Sequence, residues 1–146
     1  MMDKKYDALK LENQICFPLY AASREVIKHY RPYLDVLGLT YTQYIAMMVF
    51  WEEKCLSVKE LGQKLFLDSG TLTPVLKSLE AKGYVSRSRS ARDERVLIVE
   101  ITPAGEALKE QAVSVPKSVA GCVKLSAEEA VQLYQLLYKV LDGPSD

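Results

Sequence analysis

Residues 57–105 read SVKELGQKLFLDSGTLTPVLKSLEAKGYVSRSRSARDERVLIVEITPAG, and this stretch decides the fold. Ser57 is placed to cap a short helix through Leu65, with Val58, Leu61 and Leu65 facing inward. Phe66-Leu67-Asp68-Ser69-Gly70 reads as a turn. A second helix follows to Lys82, buried through Leu72, Leu76 and Leu79, and Gly83 supplies its stop. Proline is tolerated in a helix only near the first turn, so Pro74 sets the start close to Ser69–Thr71. Two short helices on a tight turn make a helix-turn-helix. The next residues separate this from a plain helical hairpin. Tyr84 to Arg89 reads as a strand, Ser90 to Glu94 as a polar tip, and Arg95 to Ile101 as a β-branched return strand. The expected fold is therefore mainly α with a small β-hairpin wing, a winged helix-turn-helix spanning 40–101.

Working outward, Thr40-Tyr41-Thr42-Gln43 has capping-box spacing, with Leu39 and Tyr44 placed for a hydrophobic staple. The helix it opens runs to about Trp51 and is apolar enough to be central and buried. Before it, Ile15, Leu19, Ala22 and Val26 recur at helical spacing, and Cys16, Tyr20, Ile27 and Tyr30 form a second apolar stripe. Two apolar faces on one helix point to contact with more than its own core. Pro18 is expected to kink this helix and Pro32 to end it near Arg31. Past the wing, Thr102-Pro103 opens another helix, and Ser126-Ala127-Glu128-Glu129 opens the last. That last helix carries Leu133, Leu136, Leu137, Val140 and Leu141, too large an apolar set for an isolated terminal helix. Segments 6–32 and 103–142 are thus expected to form a helical layer that pairs two copies of the chain, a homodimer.

The chain of 146 residues suits one domain, with ordinary globular composition and zero net charge. No apolar run approaches the roughly 18–20 residues of a membrane span, and the first fifteen residues are charged, which leaves the cytoplasm as the default. Three scattered cysteines and a single histidine make a disulfide scaffold or a zinc knuckle poor readings, and no cofactor is expected. The charge is unevenly placed. Residues 59–95 hold eight basic and five acidic side chains, whereas residues 96–146 hold four and seven. A basic middle suits phosphate binding, although a solvated surface would also account for it.

Chemistry-bearing residues fall into two groups. The outward and N-terminal positions of the second helix are Asp68, Ser69, Thr71, Pro74, Lys77 and Ser78, where a recognition helix reaches bases and phosphates. Arg87 and Arg89 share one strand face, and Arg92 and Arg95 stand at or beside the tip, suited to a narrow, electronegative minor groove. The second group centres on Cys16. A cysteine is often a small buried hydrophobe, but Tyr20, Tyr30, Tyr33, Tyr41 and Tyr44 are close by in sequence, and a phenol that donates to a thiolate favours the charged form. In a continuous helix Tyr30 would lie about 21 Å along the axis from Cys16. It would then meet either nothing or the Cys16 of a second subunit. Cys122 lies in a glycine-containing break, Val119 to Lys124, where a thiol could be accessible. Cys55, in a connection, reads as incidental, and His29 and Trp51 as packing residues.

With these residues in view, the helix-turn-helix followed by Asp93-Glu94-Arg95 and Ile101-Thr102-Pro103-Ala104-Gly105 resembles the MarR family of dimeric winged-helix regulators. Leu11-Glu12-Asn13-Gln14-Ile15-Cys16-Phe17, Leu39 to Tyr44 and Leu67 to Pro74 resemble its organic-hydroperoxide-sensing, OhrR-type branch. That resemblance implies a repressor of double-stranded DNA with an inverted-repeat operator, and an organic hydroperoxide as signal. It implies that Cys16 is the reactive thiol, reached by Tyr30 and Tyr41 of the other subunit, and that Arg95 enters the minor groove held by Asp93. Cys122, in its Gly-Cys setting, resembles the second, resolving cysteine that some members have. Two rival readings stand beside this one: a regulator released by a small aromatic ligand, and a thiol peroxidase using Cys16 and Cys122. The second is weakened because no cluster of arginine and acid surrounds Cys16.

Overall fold

The computed structural model describes residues 4–142. After two short 3-10 turns (Lys4–Leu9 and Leu11–Asn13), helix α1 spans Cys16–Leu37 and α2 spans Tyr41–Glu53. A short strand β1 (Cys55–Ser57), helices α3 (Val58–Leu65) and α4 (Ser69–Ala81), and strands β2 (Val85–Arg89) and β3 (Leu97–Ile101) complete the winged helix-turn-helix. Helices α5 (Pro103–Ala112), α6 (Val115–Val119) and α7 (Ala127–Asp142) follow, with a 3-10 turn over Ala120–Cys122 between the last two. Among the described residues no helix is long and apolar enough to cross a membrane.

The expected caps are present. Thr40 accepts from the Gln43 amide at 3.2 Å while its own amide donates to the Gln43 side chain at 3.1 Å, closing the capping box. Ser57, Asp68 and Thr102 accept from the amides three residues on, opening α3, α4 and α5, and Ser126 does the same for α7. Helix α2 is the centre of the core: Ala46, Met47 and Phe50 are fully buried, and Leu61, Leu72, Leu76, Leu79 and Val99 close around them.

Several expectations are corrected. Helix α1 begins at Cys16 rather than Leu11, so Pro18 is its third residue, where the missing N–H has no intrahelical acceptor to lose. It runs past Pro32 to Leu37 and stops at Gly38, whose φ of +68° suits glycine. Burial of Leu34 and Leu37, roughly 1.5–3 kcal/mol each, offsets the roughly 3 kcal/mol that an interior proline costs. The wing is not a lone hairpin but a three-stranded antiparallel sheet in the order β1-β3-β2. Cys55, expected in a connection, pairs with Glu100 across β1 and β3. The return strand starts at Leu97, because the Asp93–Val96 turn uses the residues before it. His29 is exposed, and packing does not account for it, whereas Trp51 is buried and donates Nε1–H to the Gly105 carbonyl at 2.9 Å.

Gly105 holds α5 against the wing. A Cβ there would lie 2.3 Å from the Tyr84 carbonyl oxygen and 2.7 Å from Ile101 Cγ1, whereas one at Gly121 would meet nothing within 4 Å. Gly105→Ala should therefore lower stability by about 1–3 kcal/mol in urea denaturation, and Gly121→Ala by less than about 0.5 kcal/mol. Equal midpoints for the two variants would show that the α5–wing contact is loose.

Candidate DNA interface and sensing thiol

The N-terminal half of α4 is presented outward. Asp68 Oδ1 accepts the Thr71 amide at 2.7 Å, and that bond, before any other influence, holds the carboxyl below its usual range. Asp68 is thereby committed to capping, and the exposed side chains around it are Ser69, Thr71, Pro74 and Lys77. Ser78 departs from the expected outward set. It is half-buried, and its Oγ accepts from Gln43 Nε2 at 2.9 Å, which turns it toward α2.

The wing arginines divide by geometry. Arg87 is half-buried and forks onto Glu80 of α4, donating Nη2–H to Oε1 at 3.1 Å and both Nε–H and its own amide to Oε2. It fastens β2 to α4. Arg95 instead has a side chain 91% exposed, oriented by Asp93 through Nε–H at 3.1 Å and Nη2–H at 3.3 Å. An exposed pair of this kind adds little stability, and its consequence is to hold a guanidinium outward at the tip. Arg89 and Arg92 are exposed beside it. The Arg87 and Arg95 partners keep Glu80 and Asp93 below the usual carboxylate range.

A second site lies at the junction of α1 and α2. Tyr30 and Tyr41 meet edge to face with ring centroids 5.0 Å apart, and Tyr44 joins them at 5.9 Å and 6.3 Å. Burial pushes all three phenols above their ordinary pKa, and mutual proximity adds to this at Tyr30 and Tyr44. All three therefore stay protonated, and able to donate, throughout the neutral range. Among the described residues no hydrogen bond engages the hydroxyls of Tyr30 or Tyr41. Cys122 is half-buried and within electrostatic range of Tyr30. Cys16 is exposed at the first residue of α1. Because α1 is continuous from Cys16 past Tyr30, the two are separated by about 21 Å of helix within one chain. The structure thus brings Tyr30 and Tyr41 together, with Cys122 in electrostatic range of Tyr30, and holds Cys16 apart from them.

Residues 28–112 match the family described as transcriptional regulator SarA/Rot. The organic hydroperoxide resistance transcriptional regulator of Bacillus subtilis is 49% identical over 97% of this chain and 96% of its own length. Reduced AbfR bound to DNA superposes with a TM-score of 0.75 at 34% identity, covering 94% of this chain and 96% of that one. Disulfide-formed AbfR gives 0.64 at the same identity and coverage, and AbfR is a protein of Staphylococcus epidermidis. The chain belongs to the SarA/Rot transcriptional regulators, winged-helix proteins of MarR type. It is a DNA-binding regulator and not an enzyme.

The depressed carboxyls give a signed pH dependence. Each favours the folded state above its unfolded pKa of about 4, and that contribution is lost as pH falls through the lower folded value. Asp68→Asn, which still caps α4, should leave the neutral urea midpoint nearly unchanged and make the loss below pH 4 shallower. An acid limb identical to that of the unsubstituted protein would remove Asp68 from this account.

Proposed function

We propose that the chain is a homodimeric repressor that binds an inverted-repeat operator while Cys16 is reduced and leaves it when an organic hydroperoxide oxidises Cys16. One observation carries the reading: the Tyr30 phenol, with Tyr41 of α2 packed against it, stands about 21 Å of continuous helix from the cysteine of its own chain, and neither hydroxyl is engaged among the described residues. A second copy supplies the missing thiol. The exposed apolar side chains of α1 and α7, among them Phe17, Leu19, Leu136 and Val140, supply the surface on which that copy packs. Helix α1 with α5 to α7 then forms the pairing layer, and residues 40–101 the DNA-reading unit.

In this reading Ser69, Thr71, Pro74 and Lys77 face the major groove and Arg95 enters the minor groove, while Asp68, Arg87 and Asp93 hold the elements that carry them. Two such units about 34 Å apart read a repeat with two-fold symmetry. The thiolate of Cys16 attacks the terminal oxygen of the hydroperoxide. The S–O bond forms as the O–O bond breaks, and the alkoxide takes a proton and leaves as the alcohol. Cysteine is oxidised to sulfenic acid and the hydroperoxide is reduced. The partner's Cys122, beside the tyrosines that receive Cys16, then attacks the sulfur. An S–S bond forms and water departs. Disulfide-formed AbfR, a relative of the same fold, supports this second step.

Mixed dimers test the arrangement across subunits. A Cys16→Ser subunit paired with a Tyr30→Phe, Tyr41→Phe subunit places an intact cysteine opposite intact tyrosines. Its remaining thiol should react with cumene hydroperoxide faster than a thiol of the Tyr30→Phe, Tyr41→Phe homodimer. The treated mixture should also run at dimer mass on a non-reducing gel. Equal rates per thiol would refute the pairing of Cys16 with the partner's tyrosines.

A further inference from the structure

Gln43 is 7% exposed and stands in the first turn of α2, between Tyr41 and Tyr44 of the phenol cluster. Its side chain makes bonds in three directions. Oε1 accepts the Thr40 amide at 3.1 Å and the Lys82 ammonium at 3.0 Å, and Nε2 donates to Ser78 Oγ at 2.9 Å. Ser78 lies in the second half of α4, and Lys82 is that helix's C-cap. Lys82 also donates to the carbonyl of Gly38, the C-cap of α1. A cation is favoured there on general grounds, because both helices end with unpaired carbonyls. One amide and one ammonium thus join the end of α1, the start of α2 and the recognition helix. Gln43 is buried and Ser78 half-buried, whereas Lys82 and the Gly38 carbonyl lie at the exposed rim, so it is a partner lost at the Gln43 amide that water does not replace without cost.

The placement has a consequence for signalling. Tyr41 and Gln43 occupy the same helical turn, so a shift of Tyr41 displaces the Gln43 amide with it. The exposed residues of α4 that face outward, Ser69 to Lys77, lie toward its other end, leaving Ser78 and Lys82 to fix the helix to the sensing region. We propose that the Gln43–Ser78–Lys82 junction is the link through which the state of the tyrosine cluster sets the position of α4, with Lys82 and Ser78 as positioning residues. This rests on the redox reading above.

Coupling between sites is measured as a ratio of affinities, which a purely structural role leaves alone. Operator affinity is to be measured for reduced and cumene-hydroperoxide-treated protein as the unsubstituted chain, Lys82→Met, Lys82→Arg and Ser78→Ala, with thermal melting of each. Lys82→Met and Ser78→Ala should keep reduced affinity within about threefold, and the oxidised-to-reduced ratio of Kd should shrink by about fivefold or more. Lys82→Arg, which keeps the cation, should restore most of the ratio. The Cys16 oxidation rate should not change in any of them. An unchanged ratio in both Lys82→Met and Ser78→Ala overturns the proposal, as does a common loss of affinity in both states. Absence of release in the unsubstituted protein would instead overturn the redox reading itself. Should Lys82→Met fail to fold, Ser78→Ala alone decides, since it leaves the α2 capping box intact.

Discussion

The continuity of α1 is the constraint on which the rest of the molecule depends. An unbroken helix from Cys16 to Leu37 fixes the separation of Cys16 from Tyr30 and keeps the phenol cluster away from the Cys16 thiol of its own chain. Neither proline breaks it. Pro18 falls where no hydrogen bond is lost, and Pro32 is carried by the burial of Leu34 and Leu37 just beyond. A helix ended at Arg31 would have lost the two leucines that anchor it to α2, and with them the edge-to-face contact of Tyr30 on Tyr41.

The core around α2 performs two tasks with one set of residues. Its first turn bears Tyr41 and Tyr44 in the phenol cluster and Gln43 on the side of α4, while Met47 and Phe50 are buried in the core and Trp51 bonds to Gly105 of α5. The wing in turn is held to α4 where Arg87 of β2 forks onto Glu80. Of the two arginines ion-paired to carboxylates among the described residues, Arg95 is the one left with its side chain in solvent.

Much of this was legible in the sequence wherever the deciding chemistry is local. Thr40, Ser57 and Thr102 each bond to an amide three residues on and were readable as helix starts, whereas the start of α4 was read from Pro74 and its Asp68 cap is seen only in the structure. The tyrosines at the α1–α2 junction were legible too, since Tyr30, Tyr41 and Tyr44 were already candidates by type. What escaped is non-local. Strand β1 has three residues and exists only by pairing with β3, some forty residues later. Ser78 sits on the flank of α4, and its direction is decided by Gln43, 35 residues away. Arg87 shares a strand face with Arg89, yet Glu80 claims it. Helical and strand periodicity say which face a residue occupies and nothing of the partner it finds there.

The central claim, that oxidation of Cys16 governs DNA binding, is tested most directly by titrating DNA from upstream of the protein's own gene at one fixed salt concentration. Reduced and cumene-hydroperoxide-treated protein should be compared, with Cys16→Ser treated in parallel. The account predicts that treatment weakens binding by about tenfold or more in the unsubstituted protein and leaves Cys16→Ser bound as before. Equal affinity before and after treatment, or an equal loss in Cys16→Ser, would contradict it.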